Sequence, residues 1–247
     1  MHNPQKNSKK PFSFAALVFL ALALTFITSI CSCVGPKKIV NTKTETASTG
    51  FTDSKDSKTY KTVTASASFT DSRDGKTYKT IKIGEQTWMA ENLNYETKCD
   101  CSVCYDDNPA ICAKYGHLYD WEMAIKVCPK GWHLPSNAEW DKLLRFVDGD
   151  KGKESPYESK TAGKYLKAKS GWNEDGNGID AHGFSARPGG CGLFSSFSRI
   201  GYFGLWWSAS ESNSDFAYGR YMVYDIESVY YNNSAKEGQF SVRCIQD

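Results

Sequence analysis

Nine cysteines are the residues best able to do chemistry in this 247-residue chain. Cys31 and Cys33 close an apolar run, Cys99, Cys101, Cys104 and Cys112 crowd together, and Cys128, Cys191 and Cys244 stand apart. A cysteine can be a metal ligand, a nucleophile or half of a disulfide, and spacing and compartment choose among these. Cys99, Cys101 and Cys104 read C-x-C-x-x-C, a spacing that suits zinc. The rest of a tetrahedral set is not legible: His117 and His133 lie far along the chain without the usual second pair spacing, so disulfides are the expectation.

The compartment is set by the N-terminus. Lys6, Lys9 and Lys10 precede an apolar run from Phe12 to Ile30, the layout of an export signal. The run ends Ile30-Cys31-Ser32-Cys33, similar to a bacterial lipobox with an aliphatic residue at −3 and a small one at −1. Cys33 is therefore the expected lipid anchor, since Cys31 follows the bulky Ile30. Residues 1–32 read as a lipoprotein signal peptide. Val34 in place of Asp at +2 favours the outer membrane, with the domain facing the surface. Three of the 30 basic residues precede residue 34 and none of the 28 acidic ones does, so the body is close to neutral. With no basic run it offers no footprint for nucleic acid. Beyond Cys33 seven cysteines remain for an oxidising compartment, an odd number.

Other chemistry is thinner. His117, His133 and His182 show no Ser-His-Asp arrangement, and Glu139 belongs to a capping box with Ser136. No catalytic residue is assigned and no enzyme activity is expected. Asn173, Asp175 and Asn177 precede Gly178, like the front of a calcium loop, but the twelfth position is Phe184 rather than Glu. Asx-Gly turns account for the same composition, so no cofactor is expected. Calcium on Asn173, Asp175, Asn177 and Asp180 is carried only as a candidate. Trp206, Trp207, Tyr218, Tyr221, Tyr224, Tyr230 and Tyr231 crowd the C-terminal third, followed by Asn232 and Asn233. In a regular strand Trp206 and Trp207 face opposite sides, one into the core and the other free to stack on a ligand. Trp206, Trp207, Tyr218, Tyr230, Tyr231, Asn232 and Asn233 are the expected ligand-binding set.

These groups need a frame. Residues 33–68 are rich in Lys, Thr and Ser and read as a lipidated tether. The tether contains FTDSKDSKTYKTV, from Phe51 to Val63, a first copy of FTDSRDGKTYKTI, from Phe69 to Ile81. Only the second copy has the turn signal Asp74-Gly75 and runs on into IKIGEQTWM, so the domain is expected to span 69–247. A hairpin is predicted over about Lys76 to Leu93, turning at Gly84-Glu85. One helix is predicted from Asp120 to Pro129, with a stripe of Trp121, Ala124, Ile125 and Cys128. A second starts at the Ser136 capping box, with a stripe of Trp140, Leu143, Leu144 and Val147, and Gly149 ends it. A third, shorter one covers Ser159 to Ala168. The remainder reads as short antiparallel strands. The class is α+β, with the front hairpin and the last strand meeting in one sheet.

Seven stretches carry a resemblance: FTDSRDGKTYKTIKIGEQTWMAENLNY, YGHLYDWEMA, VCPKGWHLPSNAEWDKL, AGKYLKAKSGWN, GNGIDAHGFSARPGG, WWSASE and FSVRC. Together they resemble the Fibrobacter succinogenes major paralogous domain family, over about residues 69–247. The resemblance implies a C-type-lectin-like fold, distantly similar to formylglycine-generating enzymes, and an exported surface protein. It also implies a disulfide from the first helix to the last strand, which Cys128 and Cys244 fit. Cys104 and Cys112, across the DDNPAI turn, are the second expected pair. A bond from Cys191 to Cys99 or Cys101 stays open. The function that follows is non-catalytic binding of a glycan or protein ligand at the surface, with the membrane reached through the lipid. The alternatives are an enzyme related to the formylglycine-generating fold, with Cys191 and Cys244 as its candidate reactive thiols, and a structural envelope lipoprotein without a soluble ligand.

Overall fold

A computed structural model describes residues 67–99, 101–149 and 158–247. The expected signal peptide, Cys33, the first FTDS copy and the expected tether up to residue 66 lie outside the described residues. No helix among the described residues is long and apolar enough to cross a membrane.

The chain enters through strand β1 (Ala67–Thr70), two residues ahead of the expected start at Phe69. It turns at Asp74-Gly75, where Gly75 takes φ 75°, a conformation costly for any side chain. Strands β2 (Thr77–Ile83) and β3 (Gln86–Met89) form the predicted hairpin across Gly84-Glu85. Arg73 closes the first turn. Its guanidinium pairs with Asp71, donates to Val127 O at 2.8 Å and stacks 3.9 Å from the Tyr95 ring. The first FTDS copy has Lys55 in Arg73's place, and a lysine cannot make this forked contact.

Strand β4 (Ser102–Val103) and a 3-10 turn (Tyr105–Asp107) lead into helix α1 (Pro109–Tyr115). Strand β5 (Leu118–Tyr119) is followed by α2 (Trp121–Val127), capped by Asp120. Its buried stripe is Trp121, Ala124 and Val127, whereas Ile125 faces water, because a two-turn helix ending before Pro129 needs only one line of contact. After β6 (Trp132–His133), helix α3 (Asn137–Asp148) carries the full capping box and buries Trp140, Leu143, Leu144 and Val147. Helix α4 (Ala162–Leu166) is a short piece of the predicted third helix.

The C-terminal strands are β7 (Cys191–Leu193), β8 (Ser196–Ser198), β9 (Phe203–Glu211), β10 (Phe216–Val223), β11 (Tyr230–Ala235), β12 (Phe240–Ser241) and β13 (Ile245–Gln246). They complete two sheets, β1-β2-β3-β13-β6 and β11-β10-β9-β12-β5-β4, with β7-β8 a separate hairpin. The last strand pairs Ile245 with both Trp88 and His133, so front and back of the domain meet in one sheet. The fold is α+β.

Two apolar clusters fill the interior. One joins α3 to Trp88, Phe184, Trp206 and Met222; the other joins α2 to Met89, Leu93, Trp207, Phe240 and Val242. Strand β9 lies between them, with Trp206 in one and Trp207 in the other, both at 0 % exposure. The expectation that one of these indoles stacks on a ligand is corrected: each indole does face its own side, but both sides are covered.

The motifs of the chain meet at a buried polar hub. Asn92 Oδ1 accepts from Trp206 Nε1 at 2.9 Å and from Arg243 Nη2 at 2.7 Å. Its amide donates to Tyr115 O and Ser241 Oγ. Arg243 also donates to Phe184 O and Met89 O, and lies 4.5 Å over the Phe184 ring. Burial, with Arg187 nearby, pushes its pKa down to about 9, so it remains a cation at pH 7. Gly116 makes room beside the hub. It sits at φ 81°, where a Cβ would come within 2.8 Å of Asn92 Cβ. The stretches AENLN, YGH, WW and FSVRC therefore carry a structural core.

Candidate functional site

Three disulfides join Cys128 to Cys244, Cys104 to Cys112, and Cys99 to Cys101. In this structure Cys99 and Cys101 pair with each other rather than with Cys191. Cys191 sits in β7 with its sulfur 3.5 Å from Ser198 Oγ.

The expected aromatic site does not assemble on one surface. Tyr218, paired with Asn233, and Tyr231, paired with Arg220, lie on the α3 face of the sheet. Tyr230, paired with Tyr221, and Asn232, paired with Gly219, lie on the other. Tyr221 and Tyr230 stack at 5.2 Å, Tyr218 and Tyr231 approach to 6.1 Å, and Asn232 is buried. Strand alternation divides the set, as it must when adjacent residues are chosen together.

The candidate calcium loop folds on its own oxygens. Asn177 Oδ1 accepts from Trp172 N at 3.0 Å, and Asp180 accepts from Ser185 N and Oγ at 2.8 and 2.5 Å. Asn173 packs on Gly201, and Asp175 sits in a left-handed turn at φ 59°. Among the described residues, three His, Cys, Asp or Glu side chains converge in one place, at Cys104, Cys112 and His117.

A concavity lies elsewhere. A cleft of about 580 Å³ is lined by Val103 and Asp107, by Asp120 and Glu122, by Phe194, Ser195 and Phe197, and by Lys236, Glu237 and Gln239. Four separate parts of the chain build it. The Ser102–Val103 strand and the turn after it form one wall. The N-terminus of α2 supplies Asp120, whose Oδ1 caps the helix through Met123 N at 2.8 Å. The β7–β8 hairpin is bonded to the loop before β12 by the pair Gly192 N to Gln239 O and Gln239 N to Gly192 O, at 2.9 and 2.8 Å. Lys236 pairs with Glu211 and lies 4.4 Å over the Trp121 ring.

The lining carries four carboxylates against one ammonium. Burial raises the Asp120 pKa, and Glu122 and Glu237 nearby add to the rise. Two phenyl rings complete the site. Phe197 is backed by Tyr105 at 5.2 Å, and Phe194 stands at the hairpin tip, 77 % exposed. Phe194 and Ser195 occupy φ 46° and 62° in the two-residue turn. Asn and Gly are the usual residues there, and a phenylalanine is strained. Such strain persists where surrounding structure or function holds it. Nothing in the periodicity of the sequence marks these residues. The available signal was a lone Phe between Gly192 and Ser195 where a turn residue belongs.

His133 and His117 are each held by side-chain hydrogen bonds. His133 bridges Glu139 Oε1 and Asp247 Oδ1, each at 2.7 Å. Burial alone would lower its pKa, but these two hydrogen bonds outweigh burial and raise it. His117 Nδ1 lies 2.7 Å from Asn94 Oδ1, and burial with Lys76 nearby lowers its pKa.

Fold and site together define an α+β domain with a polar core hub and an acidic, aromatic-rimmed cleft. The family is shown by the match of residues 81–246 to the Fibrobacter succinogenes major domain, and the chain belongs to that family. No curated protein and no solved structure matches the chain.

Proposed function

We propose that this chain is an exported lipoprotein, anchored through Cys33, whose domain is a non-catalytic lectin-like module binding a glycan or protein ligand at the outer surface. The anchoring rests on the lysines before residue 11, the apolar run and the Ile30–Cys33 lipobox. The C-type-lectin-like assignment is supported by the pairing of front and back strands in one sheet and by the bond from the end of α2 to Cys244.

The observation that carries the binding reading is the cleft. Carboxylates accept hydrogen bonds from hydroxyl or ammonium groups, and an exposed ring offers a flat apolar face. A polyhydroxylated ring or a basic peptide segment presents both features. A non-catalytic role is supported at Cys244, which is buried in its disulfide with Cys128 and so is no free thiol.

The test is glycan-array and peptide-array binding by the exported chain, with and without a calcium chelator. Wild type is expected to bind, with or without calcium. F194A and the cleft variant D120N/E237Q are expected to lose at least tenfold in affinity. Equal binding by wild type and both cleft variants would place the ligand elsewhere. No binding by wild type to either array would sink the module reading.

A further inference from the structure

We propose that Cys104, Cys112 and His117 form a binding site for one zinc-class divalent cation when the Cys104–Cys112 disulfide is reduced, so that metal and disulfide are alternative occupants of one place. The three ligand atoms lie within 4.8 Å of one another. Cys104 Sγ and His117 Nε2 are 3.7 Å apart. A tetrahedral zinc with bonds of about 2.3 Å to sulfur and about 2.0 Å to nitrogen needs about 3.6 Å along that edge. The two sulfurs, joined in the disulfide, must part to about 3.8 Å.

A second observation points the same way. The other ring nitrogen of His117 is held by Asn94 Oδ1 at 2.7 Å. An amide oxygen only accepts, so Nδ1 carries the proton and Nε2 turns its lone pair toward Cys104. A hydrogen bond at the far nitrogen is how ligating histidines are oriented at metal sites. Backbone order brings the three together. His117 follows Gly116 at the foot of β5, β4 pairs beside β5, and α1 returns Cys112 to Cys104. None of this is visible in the C-x-C-x-x-C spacing, which points to Cys99 and Cys101 instead.

The chemistry balances with a dithiol as reductant. It gives two electrons and two protons to the Cys104–Cys112 bond and becomes a disulfide itself. The cation then displaces the two thiol protons to solvent, takes the His117 lone pair, and leaves its fourth position to water. Val103 and Asp107 flank Cys104 and line the cleft, so the occupant of this site sets the position of one cleft wall.

The test is anaerobic titration of the dithiol-reduced full chain in detergent with Co²⁺, read by absorbance. One equivalent is expected, with thiolate-to-cobalt charge-transfer bands and the intense d–d bands of a tetrahedral site. C112S is expected to abolish them. H117Q leaves the disulfide intact in the oxidised chain, which provides the folding control by circular dichroism; reduced, it is expected to bind at least a hundredfold more weakly. N94A, which touches no ligand atom directly bound to metal, is expected to weaken binding about 10- to 100-fold. Absence of bands in wild type would overturn the proposal. Bands of equal strength in C112S or H117Q would overturn it too, by assigning the metal to other cysteines.

Discussion

Replacing Asn92 by leucine isolates what the buried hub contributes. The change removes the acceptor shared by Trp206 Nε1 and Arg243, and the donor for Tyr115 O and Ser241 Oγ. An orphaned buried indole N–H costs about 1–3 kcal/mol, and a buried charge stripped of a partner costs about 3–5 kcal/mol. Arg243 keeps its bonds to Phe184 O and Met89 O, so the lower end applies to it. The expected loss is about 5 kcal/mol, comparable to the whole stability of a marginal domain at about 5–15 kcal/mol. In melting temperature this is about 10–20 °C for a domain of this size. The assay is denaturant unfolding of the disulfide-intact chain, comparing midpoints at unchanged slope. The double variant N92L/R243M removes the charge along with its partner and is expected to be more stable than N92L alone. A loss below about 1 kcal/mol for N92L, or a double variant whose loss equals the sum of the singles, would refute the hub as the origin of the effect.

Phe194→Gly relieves the left-handed strain at φ 46° while giving up little burial, so it is expected to stabilise the domain by about 1 kcal/mol and raise Tm, even as it removes the cleft's exposed ring. The Cys128–Cys244 bond spans 116 positions and the Cys104–Cys112 bond eight. On chain entropy the long loop is worth about 5 kcal/mol and the short one about 2.6, so the alanine pair at 128 and 244 should lower the denaturation midpoint roughly twice as far as the pair at 104 and 112. His133 has a folded pKa raised above its ordinary 6.5. Its contribution is therefore fully present below that value and is lost as pH rises through the folded pKa. The Tm difference between wild type and H133Q should be largest near pH 6 and shrink by pH 9.

The elements with local rules were legible. Asp74-Gly75, Gly84-Glu85, the Ser136–Glu139 capping box and the α3 stripe each state their geometry within a few residues. Helix α1 was read as a turn, although Asn108 accepting from Ala110 N with Pro109 behind it is a helix start. Seven residues are too few for periodicity to speak. The double burial of Trp206 and Trp207 had a signal that alternation obscured: Phe203-Gly204-Leu205-Trp206-Trp207 runs without a polar residue, the pattern of a strand covered on both faces. The hub and the cleft were illegible for a different reason. Asn92, Trp206 and Arg243 are more than a hundred residues apart at their extremes, as are Asp107 and Gln239, and only the sheet order brings them together.

That sheet order also sets a clock. Strands β12 and β13 follow the other described strands in chain order, yet both are interior: Ser241 lies between Trp206 and Leu118, and Ile245 between Trp88 and His133. Arg243 and Cys244, between these strands, complete the hub and the long disulfide. A chain emerging N-terminus first can close neither sheet until β12 and β13 have cleared. Under the export proposed above, this order holds both sheets open while the preceding strands cross, and the segment that closes them follows every other described strand.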